Sequence, residues 1–511
     1  MICQQHLPFI ANQVINLSLF DDDNTPKQID LFFSYIQSFS QFTYLRTLSL
    51  ATICSYEILI KVIHECQYLS NHNYFLFYFS CQNCQIDFQF IIDTIWSLPK
   101  LIYCRFGLHI DEQQIFCTPT KISSTLKCAH MCGYTLKWNQ INQLFECTPC
   151  LERLSISITS TDDDDDYRLF PVLTLIDLKV NICHRSNPLK IITLLQNIPN
   201  LRCLNVDLLS NLLNGHQWEQ IIRNYLPKLK VLRLSMRNIL SLNENIEEQV
   251  DELINSFRSS FWIDEHKWFV RCFSSQTFIN LYSLSERCYY GHEKPSDLWR
   301  STYPHDNQQN FYNDLNIIYD HTFFDQSFPT NIYLYKIKFL FIKFPINNQF
   351  WSIVSNLKEL STLIISSYRD TFQTEFQRLL NRAPHLNYLC ICQEKSLPLQ
   401  KSLFNYTNTS IPRLPLENYY LNEEECIELT QSPLIIQCQV LSIQVKSRQS
   451  IIILVKNMNN LRRLDIQCEN ELHDGKTSNK YDLVQWLNDH LSSTYLIFRD
   501  SDDTSRIRIW I

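Results

Sequence analysis

Glycine is nearly absent from this chain, whose 511 residues include only 5, at positions 107, 133, 215, 291 and 475. Proteins on average contain about 7% glycine. Because the five are scattered, neither a dinucleotide-binding G-x-G-x-x-G sequence nor a complete phosphate-binding loop is present. The sequence therefore excludes most nucleotide-dependent enzymes.

Segments for membrane insertion or secretion are also lacking. The N-terminal sequence MICQQHLPFIANQVINLSLF has neither the basic start nor the continuous apolar stretch of a signal peptide. Lysines interrupt the apolar stretch IYLYKIKFLFIKF (332–344), which is far from the roughly 18 apolar residues of a membrane-spanning helix. We therefore expect an intracellular protein, cytoplasmic or nuclear, with no membrane contact. Its 20 cysteines are then interpreted as reduced, mostly buried thiols.

Basic residues are in the minority, since 45 Lys and Arg face 52 Asp and Glu, for a net charge of -7. Proteins that bind nucleic acid need a basic surface to neutralise phosphates. We therefore expect no nucleic-acid partner, although a local basic face is compatible with the composition. Hydrophobic residues make up 45% of the chain, which is typical of a globular protein with a continuous core.

A recurring phrase dominates what the sequence does contain. It reads Pro, any residue, Leu, two variable residues, Leu or a similar residue, one variable residue, and an apolar residue. Six copies are LPKLIYCRF (98–106), TPCLERLSI (148–156), FPVLTLIDL (170–178), IPNLRCLNV (198–206), LPKLKVLRL (226–234) and APHLNYLCI (383–391), and two looser copies are FTYLRTLSL (42–50) and MNNLRRLDI (458–466).

Each repeat can be numbered from the first leucine-like residue of its phrase, which we call the first position. These residues are Val14, Leu45, Tyr74, Leu101, Leu126, Leu151, Leu173, Leu201 and Leu229, followed after a gap by Ile337, Leu360, Leu386, Ile411, Cys438 and Leu461. Within each series the spacing is 22 to 31 residues. Leucine-rich repeats have periods of about 20 to 29 residues.

The phrase predicts one strand per repeat. Residues at the first, fourth and sixth positions point into the core, and alternation along the strand exposes the variable residues between them. Apolar residues at three- and four-residue spacing predict helices between the strands, as at 57–66 and 216–226. Where the phrase begins with proline, as at Pro227, that proline ends the preceding helix. We therefore predict an α/β fold: a ribonuclease-inhibitor-like leucine-rich-repeat solenoid with a curved parallel sheet and outer helices.

The spacing also predicts three regions. Residues 1–235 form N-terminal repeats, 236–330 form irregular repeats with an aromatic-rich insertion, and 331–511 form C-terminal repeats with a capping strand. In the irregular region we predict a helix at 246–257 and two strands, 267–272 and 278–284, that carry the sheet across the gap. Residues 287–328 are predicted to be a long loop or an insertion, and RIRIWI (506–511) a final edge strand.

Three segments resemble a known family. They are WNQINQLFECTPCLERLSISI (138–158), SFRSSFWIDEHKWFVRC with INLYSLSE (256–286), and FWSIVSNLKELSTLIIS (350–366). They are similar to F-box and leucine-rich-repeat proteins of the type abundant in bdelloid rotifers. The resemblance implies a substrate receptor of a cullin-RING ubiquitin ligase, in which an F-box binds the ligase linker subunit and the repeats bind the target.

This chain departs from that family at its N-terminus. An F-box is a helical module, whereas here the first predicted strand, 14–19, follows Leu7-Pro8 almost at once. We therefore expect the linker subunit as a partner only if an F-box is encoded upstream. Either the module is missing from the sequence or this copy has lost it.

Several clusters of potential ligands suggest metal sites, but their spacing does not fit metal binding. Two Cys-x-x-Cys pairs flank further ligand-type residues, the full set being Cys81, Cys84, Cys128, His130, Cys132, Cys147 and Cys150. In the repeat register the two pairs lie two strands apart, about 10 Å, which zinc with bonds of about 2.3 Å does not bridge. The acidic runs 21–23 and 162–166 lack the spacing and glycine of a calcium loop, and DGKT (474–477) lacks the first glycine of a phosphate loop. We expect no metal and no cofactor.

The remaining motifs do not indicate catalysis. The run HKWFVRC (266–272) combines aromatic and basic residues as single-strand nucleic-acid binders do, but a strand with Trp268 and Val270 on one face explains it more simply. Recognisable protease, hydrolase and kinase sequences are missing. We expect no enzyme; an active site would require a cluster of perturbed titratable groups within 287–328.

The exposed strand positions are the usual binding surface of such repeats. Their mixed polarity suits a protein partner better than a lipid or a small molecule, and Tyr and Arg are favoured at binding hot spots. The candidate partner-binding residues are Arg46, Tyr103, Arg105, Glu152, Arg153, Asp177, Arg202, Asn205 and Arg233. Two functions stay open: the substrate-recognition part of an F-box-type ubiquitin ligase receptor, or a stand-alone leucine-rich-repeat scaffold or inhibitor. The target is unknown in both.

Overall fold

A computed structural model describes most of the chain. The described residues are 9–20, 28–36, 38–53, 56–69, 73–80, 87–109, 117–159, 170–183, 188–209, 212–239, 245–274, 278–284, 298–307, 309, 312–313, 315–325, 328, 332–392, 400, 402, 405–406, 408, 410–469, 483–499 and 505–511. They form two compact units. Unit 1 comprises the described residues up to 284 together with 298–304, and unit 2 those from 305 to 511.

The sheet of unit 1 begins with nine parallel strands that pair in chain order, and three antiparallel strands follow in the order β11-β10-β12. The strands are β1 (Asn16–Phe20), β2 (Thr47–Ile53), β3 (Tyr74–Ser80), β4 (Tyr103–His109), β5 (Cys128–Lys137), β6 (Arg153–Thr159), β7 (Asp177–Cys183), β8 (Cys203–Leu209), β9 (Val231–Ile239), β10 (Val270–Ser274), β11 (Phe278–Ser283) and β12 (Trp299–Ser301).

Among the described residues of unit 1, helices follow seven of the nine parallel strands, and β4 and β6 are the two without one. The helices are α1 (Gln28–Tyr35), α2 (Tyr56–Cys66), α3 (Phe88–Trp96), α4 (Trp138–Glu146), α5 (Pro188–Gln196), α6 (Gly215–Tyr225) and α7 (Ile246–Ser256), with short 3₁₀ turns at Ala11–Gln13 and Phe39–Gln41 and a π-helical turn at Phe261–Glu265. Their apolar sides and the strand leucines share one buried cluster, so the helices cover one face of the sheet.

Unit 2 repeats the same plan. Its sheet order is β13-β14-β15-β16-β17-β18-β19-β21-β20, parallel as far as β19. The strands are β13 (Ile317–Ile318), β14 (Phe339–Lys343), β15 (Thr362–Ser366), β16 (Tyr388–Cys392), β17 (Arg413–Leu421), β18 (Val440–Val445), β19 (Arg463–Cys468), β20 (Leu496–Arg499) and β21 (Arg506–Trp510). The helices are α8 (Asn348–Ile353), α9 (Gln373–Arg382), α10 (Glu423–Thr430), α11 (Arg448–Asn457) and α12 (Leu483–His490), with 3₁₀ turns at Phe323–Asp325 and Asp370–Phe372. In the part of the chain that the structure describes, every helix is too short or too polar to cross a membrane.

The predicted α/β class with parallel sheets is confirmed, and so is the role of the repeated leucines. In the second repeat Leu45, Leu48 and Leu50, at the first, fourth and sixth positions, are fully buried. The same positions are buried in the repeat that starts at Leu201. A buried leucine side chain stabilises the fold by roughly 1.5–3 kcal/mol relative to an exposed one. Each repeat therefore stabilises the folded chain by burying its leucines against the neighbouring repeats.

Two first positions were placed wrongly. Tyr74 lies opposite Thr47 and Tyr103, which are both third positions, so Tyr74 is itself a third position and not a core residue. Asp177 lies opposite Arg153, so the seventh repeat starts at Leu175 rather than Leu173. FPVLTLIDLKV carries leucine at both positions, and the phrase fits from either. Because strand side chains alternate with a period of two, this two-residue error leaves Asp177 on the exposed face.

The irregular region differs more from expectation. The predicted helix is confirmed as α7, but β10 and β11 do not carry the parallel sheet across the gap. Only residues 275–277 join them, and a connection of three residues permits a hairpin and not a parallel crossover. Accordingly, β11 pairs antiparallel with β9, and a separate sheet begins at β13.

Three smaller expectations were also wrong. The strand predicted to start at Lys267 begins at Val270, because Lys267 adopts a left-handed conformation with φ of 55°. The segment predicted as a long loop contains β12 and β13 among its described residues. The C-terminal strand β21 is not at the edge, since it lies between β19 and β20 and buries Ile507 and Ile509.

Position 215 requires glycine, although the chain contains few glycines. A Cβ atom at this position would lie 2.2 Å from the Ser256 carbonyl oxygen, which no side chain tolerates. The Gly215 amide donates a 2.7 Å hydrogen bond to the Ser256 hydroxyl, and the Trp262 indole donates one of 3.2 Å to the Gly215 carbonyl. Glycine therefore allows α6 to approach the end of α7 closely.

The register of the seventh repeat can be tested with paired substitutions. Leu175 is fully buried, whereas Leu173 is 61% exposed. We expect Leu175→Ala to lower the free energy of unfolding by about 2–5 kcal/mol, because it leaves a cavity, and Leu173→Ala to change it by less than about 0.5 kcal/mol. Urea denaturation followed by circular dichroism measures both. Equal losses, or a larger loss for Leu173→Ala, would contradict the register.

Candidate protein-interaction surface

Three rows of side chains cover the face of the unit 1 sheet opposite the helices, and we call them together the outer face. They are the third, fifth and seventh positions of β1–β9, which alternate with the buried positions along each strand. The third row is Asn16, Thr47, Tyr74, Tyr103, Cys128, Arg153, Asp177, Cys203 and Val231. The fifth is Ser18, Ser49, Leu76, Arg105, His130, Ser155, Lys179, Asn205 and Arg233. The seventh is Phe20, Ala51, Tyr78, Gly107, Cys132, Ser157, Asn181, Asp207 and Ser235.

Six of the predicted partner-binding residues belong to this face. The third row contains Tyr103, Arg153 and Asp177, and the fifth row contains Arg105, Asn205 and Arg233. Arg153 and Asp177 are direct neighbours across β6 and β7, as Asn205 and Arg233 are across β8 and β9. Arg105 is five strands, about 24 Å, from Arg233. These residues therefore form parts of two long rows and not one compact cluster.

The other three predicted residues, Arg46, Glu152 and Arg202, are second positions, immediately before the strands. Their backbone N–H groups each donate a 2.8 Å hydrogen bond to the preceding repeat. We call the second positions of these repeats the edge row, which consists of Ile15, Arg46, Asn73, Ile102, Lys127, Glu152, Ile176, Arg202 and Lys230. Glu152 forms a 2.8 Å ion pair with Lys127. Exposed ion pairs of this kind add little to the stability of the fold.

A cluster of tilted aromatic rings lies near the middle of the outer face. The ring centroids of Tyr74 and Tyr103 are 5.7 Å apart, and those of Tyr103 and His130 are 5.4 Å apart. The guanidinium of Arg105 lies 5.6 Å from the ring centroid of Tyr78. Sequence analysis missed Tyr74 and Tyr78 because the third repeat was numbered two residues too late, and it considered His130 only as a metal ligand.

His130 is the titratable group at the centre of this cluster. Its Nε2 atom lies 3.3 Å from the thiol sulfur of Cys128 on the same strand. Burial lowers the pKa of His130 below its usual value, and the positive charge of Arg105 on the neighbouring strand lowers the pKa further. The imidazole therefore favours its neutral form at neutral pH. In that form its ring contacts Tyr103, and its Nε2 atom is within hydrogen-bond distance of Cys128.

Charge is distributed unevenly on this surface. The outer face has four basic side chains, Arg105, Arg153, Lys179 and Arg233, and two acidic ones, Asp177 and Asp207. Asp207 accepts a 2.8 Å hydrogen bond from the Ser235 hydroxyl, and burial raises its pKa. The edge row adds Arg46, Lys127, Arg202 and Lys230 against Glu152. The surface is thus basic in a chain with a net charge of -7.

The aromatic and basic side chains of the run 266–272 pack against other residues of unit 1. His266 stacks on Trp268 with ring centroids 4.1 Å apart. Arg271 is buried, with its guanidinium 5.2 Å from the ring centroid of Trp299. These side chains make intramolecular contacts, so the run does not form an open platform for nucleic-acid bases.

The cysteine and acidic motifs can be followed only in part. The Cys147 thiol donates a 3.1 Å hydrogen bond to the Pro119 carbonyl, and Cys150 is exposed. Cys81, Cys84 and residues 21–23, 162–166 and 474–477 lie outside the described residues. The same holds for much of 287–328, where an enzyme site would have been sought.

Sequence analysis did not single out a second cluster, in unit 2. The thiol sulfurs of Cys390 and Cys392 on β16 lie 3.5 Å apart, and the Cys392 sulfur lies 3.4 Å from a carboxylate oxygen of Glu417 on β17. The hydrogen bond with Cys392 and burial both raise the pKa of Cys390. The Cys-x-Cys spacing in YLCIC (388–392) was the available signal, because residues two apart on a strand share a face.

A buried ion-pair network lies further along the same sheet. Arg463 makes a bidentate contact with Asp465, and Arg508 donates a 2.9 Å hydrogen bond to the same carboxylate. The network ties β19 to the antiparallel β21. We interpret it as structural, since each charged group has its partner within the network.

Comparisons with known proteins add little. No protein-family model matches the chain, and no curated protein matches it. Among solved structures, it is similar to an internalin from Listeria monocytogenes, with 10% sequence identity over 93% of this chain and 89% of the internalin chain and a TM-score of 0.26. The fold of each unit is defined by its strand register and its buried residues.

The geometry around His130 predicts a specific pKa change. We expect Arg105→Gln to raise the pKa of His130, because removal of a neighbouring positive charge makes protonation easier. Arg233→Gln is the matched control: it lies in the same row four strands, about 19 Å, from His130, well beyond the screening length of about 8 Å at physiological salt. An NMR titration of the His130 ring protons measures both. An unchanged pKa in Arg105→Gln, or equal shifts in both variants, would contradict the described arrangement.

Proposed function

We propose that this protein is a leucine-rich-repeat interaction module whose outer face and edge row in unit 1 bind an acidic segment of a partner protein. The observation that carries the proposal is the charge of this surface. Its two parts contain eight basic side chains, Arg46, Arg105, Lys127, Arg153, Lys179, Arg202, Lys230 and Arg233, against three acidic ones, Asp177, Asp207 and Glu152. The chain as a whole has an acidic excess.

The repeat architecture suits this role. Parallel strands about 4.8 Å apart present their exposed residues in regular rows, and the cost of folding is met by the buried positions on the other face. Arginine binds carboxylates in a bidentate manner that fixes orientation as well as energy. Complementary charge also accelerates association and excludes partners of the wrong sign. The curved solenoid predicted from the repeats would extend these rows along a concave surface.

Aromatic residues supply the second component of binding. Tyr103 is half-buried between Tyr74 and His130, so its position is set before a partner arrives. Preorganised tyrosine and arginine side chains are the usual hot spots of protein interfaces. Tyr103 with Arg105 and Arg153 therefore forms the expected centre of the interface.

A protein partner fits this surface better than a nucleic acid. In the third row, Asp177 lies between Arg153 on one neighbouring strand and Cys203 on the other. This row therefore does not present continuous positive charge. A phosphate backbone would meet Asp177 and Asp207 among the basic groups, and the net charge of -7 would oppose it at longer range. A peptide of mixed composition with several carboxylates tolerates the two aspartates.

The partner chemistry can be tested with a random peptide library displayed on phage and selected on the full chain. We expect the selected peptides to be enriched in Asp and Glu. We expect the double variant Arg153→Glu/Arg233→Glu to lose roughly tenfold or more in affinity for a selected peptide, measured by fluorescence anisotropy, because it reverses two exposed charges of the outer face.

The matched control is Lys61→Glu/Lys121→Glu, which changes the net charge equally at two exposed lysines, one on α2 and one in the segment before β5. This variant should bind the peptide like the original chain. Three outcomes would contradict the proposal: selected peptides without acidic enrichment, equal losses in both double variants, or tighter binding of an unstructured oligonucleotide than of any selected peptide.

A more specific role follows from the resemblance to F-box and leucine-rich-repeat proteins. On that basis the module is the target-recognition part of a ubiquitin ligase receptor, and the ligase linker subunit is a further partner if an F-box precedes the repeats. The support is the similarity of segments 138–158, 256–286 and 350–366. The alternative is a stand-alone scaffold or inhibitor that uses the same surface.

The 5′ end of the transcript distinguishes these two roles. For the ligase role we expect an upstream reading frame, continuous with the codon of Met1, that encodes a helical F-box. Sequencing of full-length transcripts gives the answer directly. A transcript whose coding region opens at Met1 would contradict the ligase role and leave the stand-alone interaction module.

A further inference from the structure

Cys390, Cys392 and Glu417 bring three metal-ligating groups together in unit 2. Cys390 and Cys392 occupy the fifth and seventh positions of β16, so both thiols are on the same face of that strand. Glu417 lies directly opposite Cys392 on β17. Among the described residues, this is the one group of three such side chains whose ligating atoms all lie within 4.8 Å of one another.

The distances match the edges of a metal tetrahedron. With metal–sulfur bonds of about 2.3 Å and metal–oxygen bonds of about 2.1 Å, tetrahedral angles place two sulfurs about 3.8 Å apart and a sulfur and an oxygen about 3.6 Å apart. The corresponding distances here are 3.5 Å and 3.4 Å. The third pair, the Cys390 sulfur and a Glu417 carboxylate oxygen, lies within 4.8 Å. A side-chain shift of about 1 Å or less therefore brings all three ligands to tetrahedral spacing around an ion.

We propose that Cys390, Cys392 and Glu417 form a binding site for a zinc-class divalent metal ion. Two thiolates and one carboxylate give the ligand chemistry that Zn²⁺ accepts, and soft thiolates disfavour Mg²⁺ and Ca²⁺. Three protein ligands leave the fourth position of the tetrahedron for water or for a ligand from solution. The proposal concerns unit 2 and is independent of partner binding by the outer face of unit 1.

Access and orientation both favour this site. Cys390 is 2% exposed, whereas Cys392 and Glu417 are half-buried. A shallow pocket that includes Glu417, Gln444 and Gln467 opens beside the cluster, so an ion can reach the carboxylate from solvent. Tyr388, at the third position of β16, shares a strand face with Cys390 and Cys392.

The site also lies beside an irregularity in the sheet. The register between β17 and β18 shifts between Pro415 and Tyr420, and Asn418, next to Glu417, adopts a left-handed conformation with φ of 67°. Proline has no amide to donate, and a bulge interrupts the ladder. An ion shared by Cys390, Cys392 and Glu417 would join β16 to β17 at this point.

The geometry of Cys390 and Cys392 suits metal binding better than a disulfide bond. Residues two apart on a strand have Cα atoms about 6.6 Å apart, at the far end of the range of about 4.4–6.8 Å that disulfides occupy. Metal binding requires neither strand to move.

The test uses the full chain, reduced and stripped of metal with a chelator, and titrated with Co²⁺ as a spectroscopic probe. We expect one equivalent of Co²⁺ to give the absorption bands of tetrahedral thiolate coordination and to be displaced by Zn²⁺. Cys392→Ser should abolish these bands, and Glu417→Gln should weaken Co²⁺ binding by about tenfold or more while the thiolate bands persist.

The matched control is Cys203→Ser, which removes a half-buried thiol on the outer face of unit 1. It should bind Co²⁺ like the original chain. Because the chain has 20 cysteines, bands that are equal in Cys392→Ser and in the original chain would assign the metal to other thiols and overturn the proposal. Absence of the bands in the original chain would also overturn it.

A stability measurement separates loss of the site from loss of the fold. Zn²⁺ should raise the urea midpoint of the original chain and of Cys203→Ser, because it binds the folded state, and should leave the midpoint of Cys392→Ser unchanged. Circular dichroism without metal should be the same for all three. An equal rise in midpoint for Cys392→Ser would contradict the proposal.

Discussion

The burial of three residues per repeat is the constraint on which the rest of the structure depends. In a repeat such as that of Leu45, Leu48 and Leu50, the strand alone leaves these side chains exposed to water, and one helix does not cover them. Burial is complete only when repeats lie side by side. Within each unit this requirement sets the strand register, and the register determines which side chains meet on the opposite face.

The same alternation separates folding from function. Residues at the first, fourth and sixth positions supply the core, and residues at the third, fifth and seventh are free to differ between repeats. That freedom is visible on the outer face of unit 1, where Tyr103, Arg105 and Arg153 sit beside small and neutral side chains. In unit 2 the equivalent positions bring Cys390 and Cys392 to one face. A single backbone plan thus carries two surfaces of different chemistry.

Sequence reasoning succeeded where the information is local and failed where it depends on pairing. The repeats starting at Leu45, Leu201 and Leu229 were placed correctly because each phrase contains its own register. Leu173 was mistaken for a core residue because leucine at 175 has the same parity, and only the pairing of Asp177 with Arg153 decides between them. The antiparallel end of the unit 1 sheet was missed, although the short connection between β10 and β11 indicates a hairpin. The pairing of β11 with β9 becomes evident only in the structure. The division into three regions, the curvature and the binding role of the candidate residues stay predictions.

The sequence by itself determined the α/β class, the repeat period, the buried positions of most repeats and the outer-face placement of six candidate residues. Alternation along a strand and apolar spacing along a helix are properties of neighbouring residues. Only the tertiary structure decided which exposed residues touch. The ring contacts of Tyr103 with Tyr74 and with His130 join three repeats, and the approach of Glu417 to Cys392 joins residues 25 positions apart. Such contacts arise from hydrogen bonds between strands, so they depend on the register of one repeat against the next and not on either repeat alone.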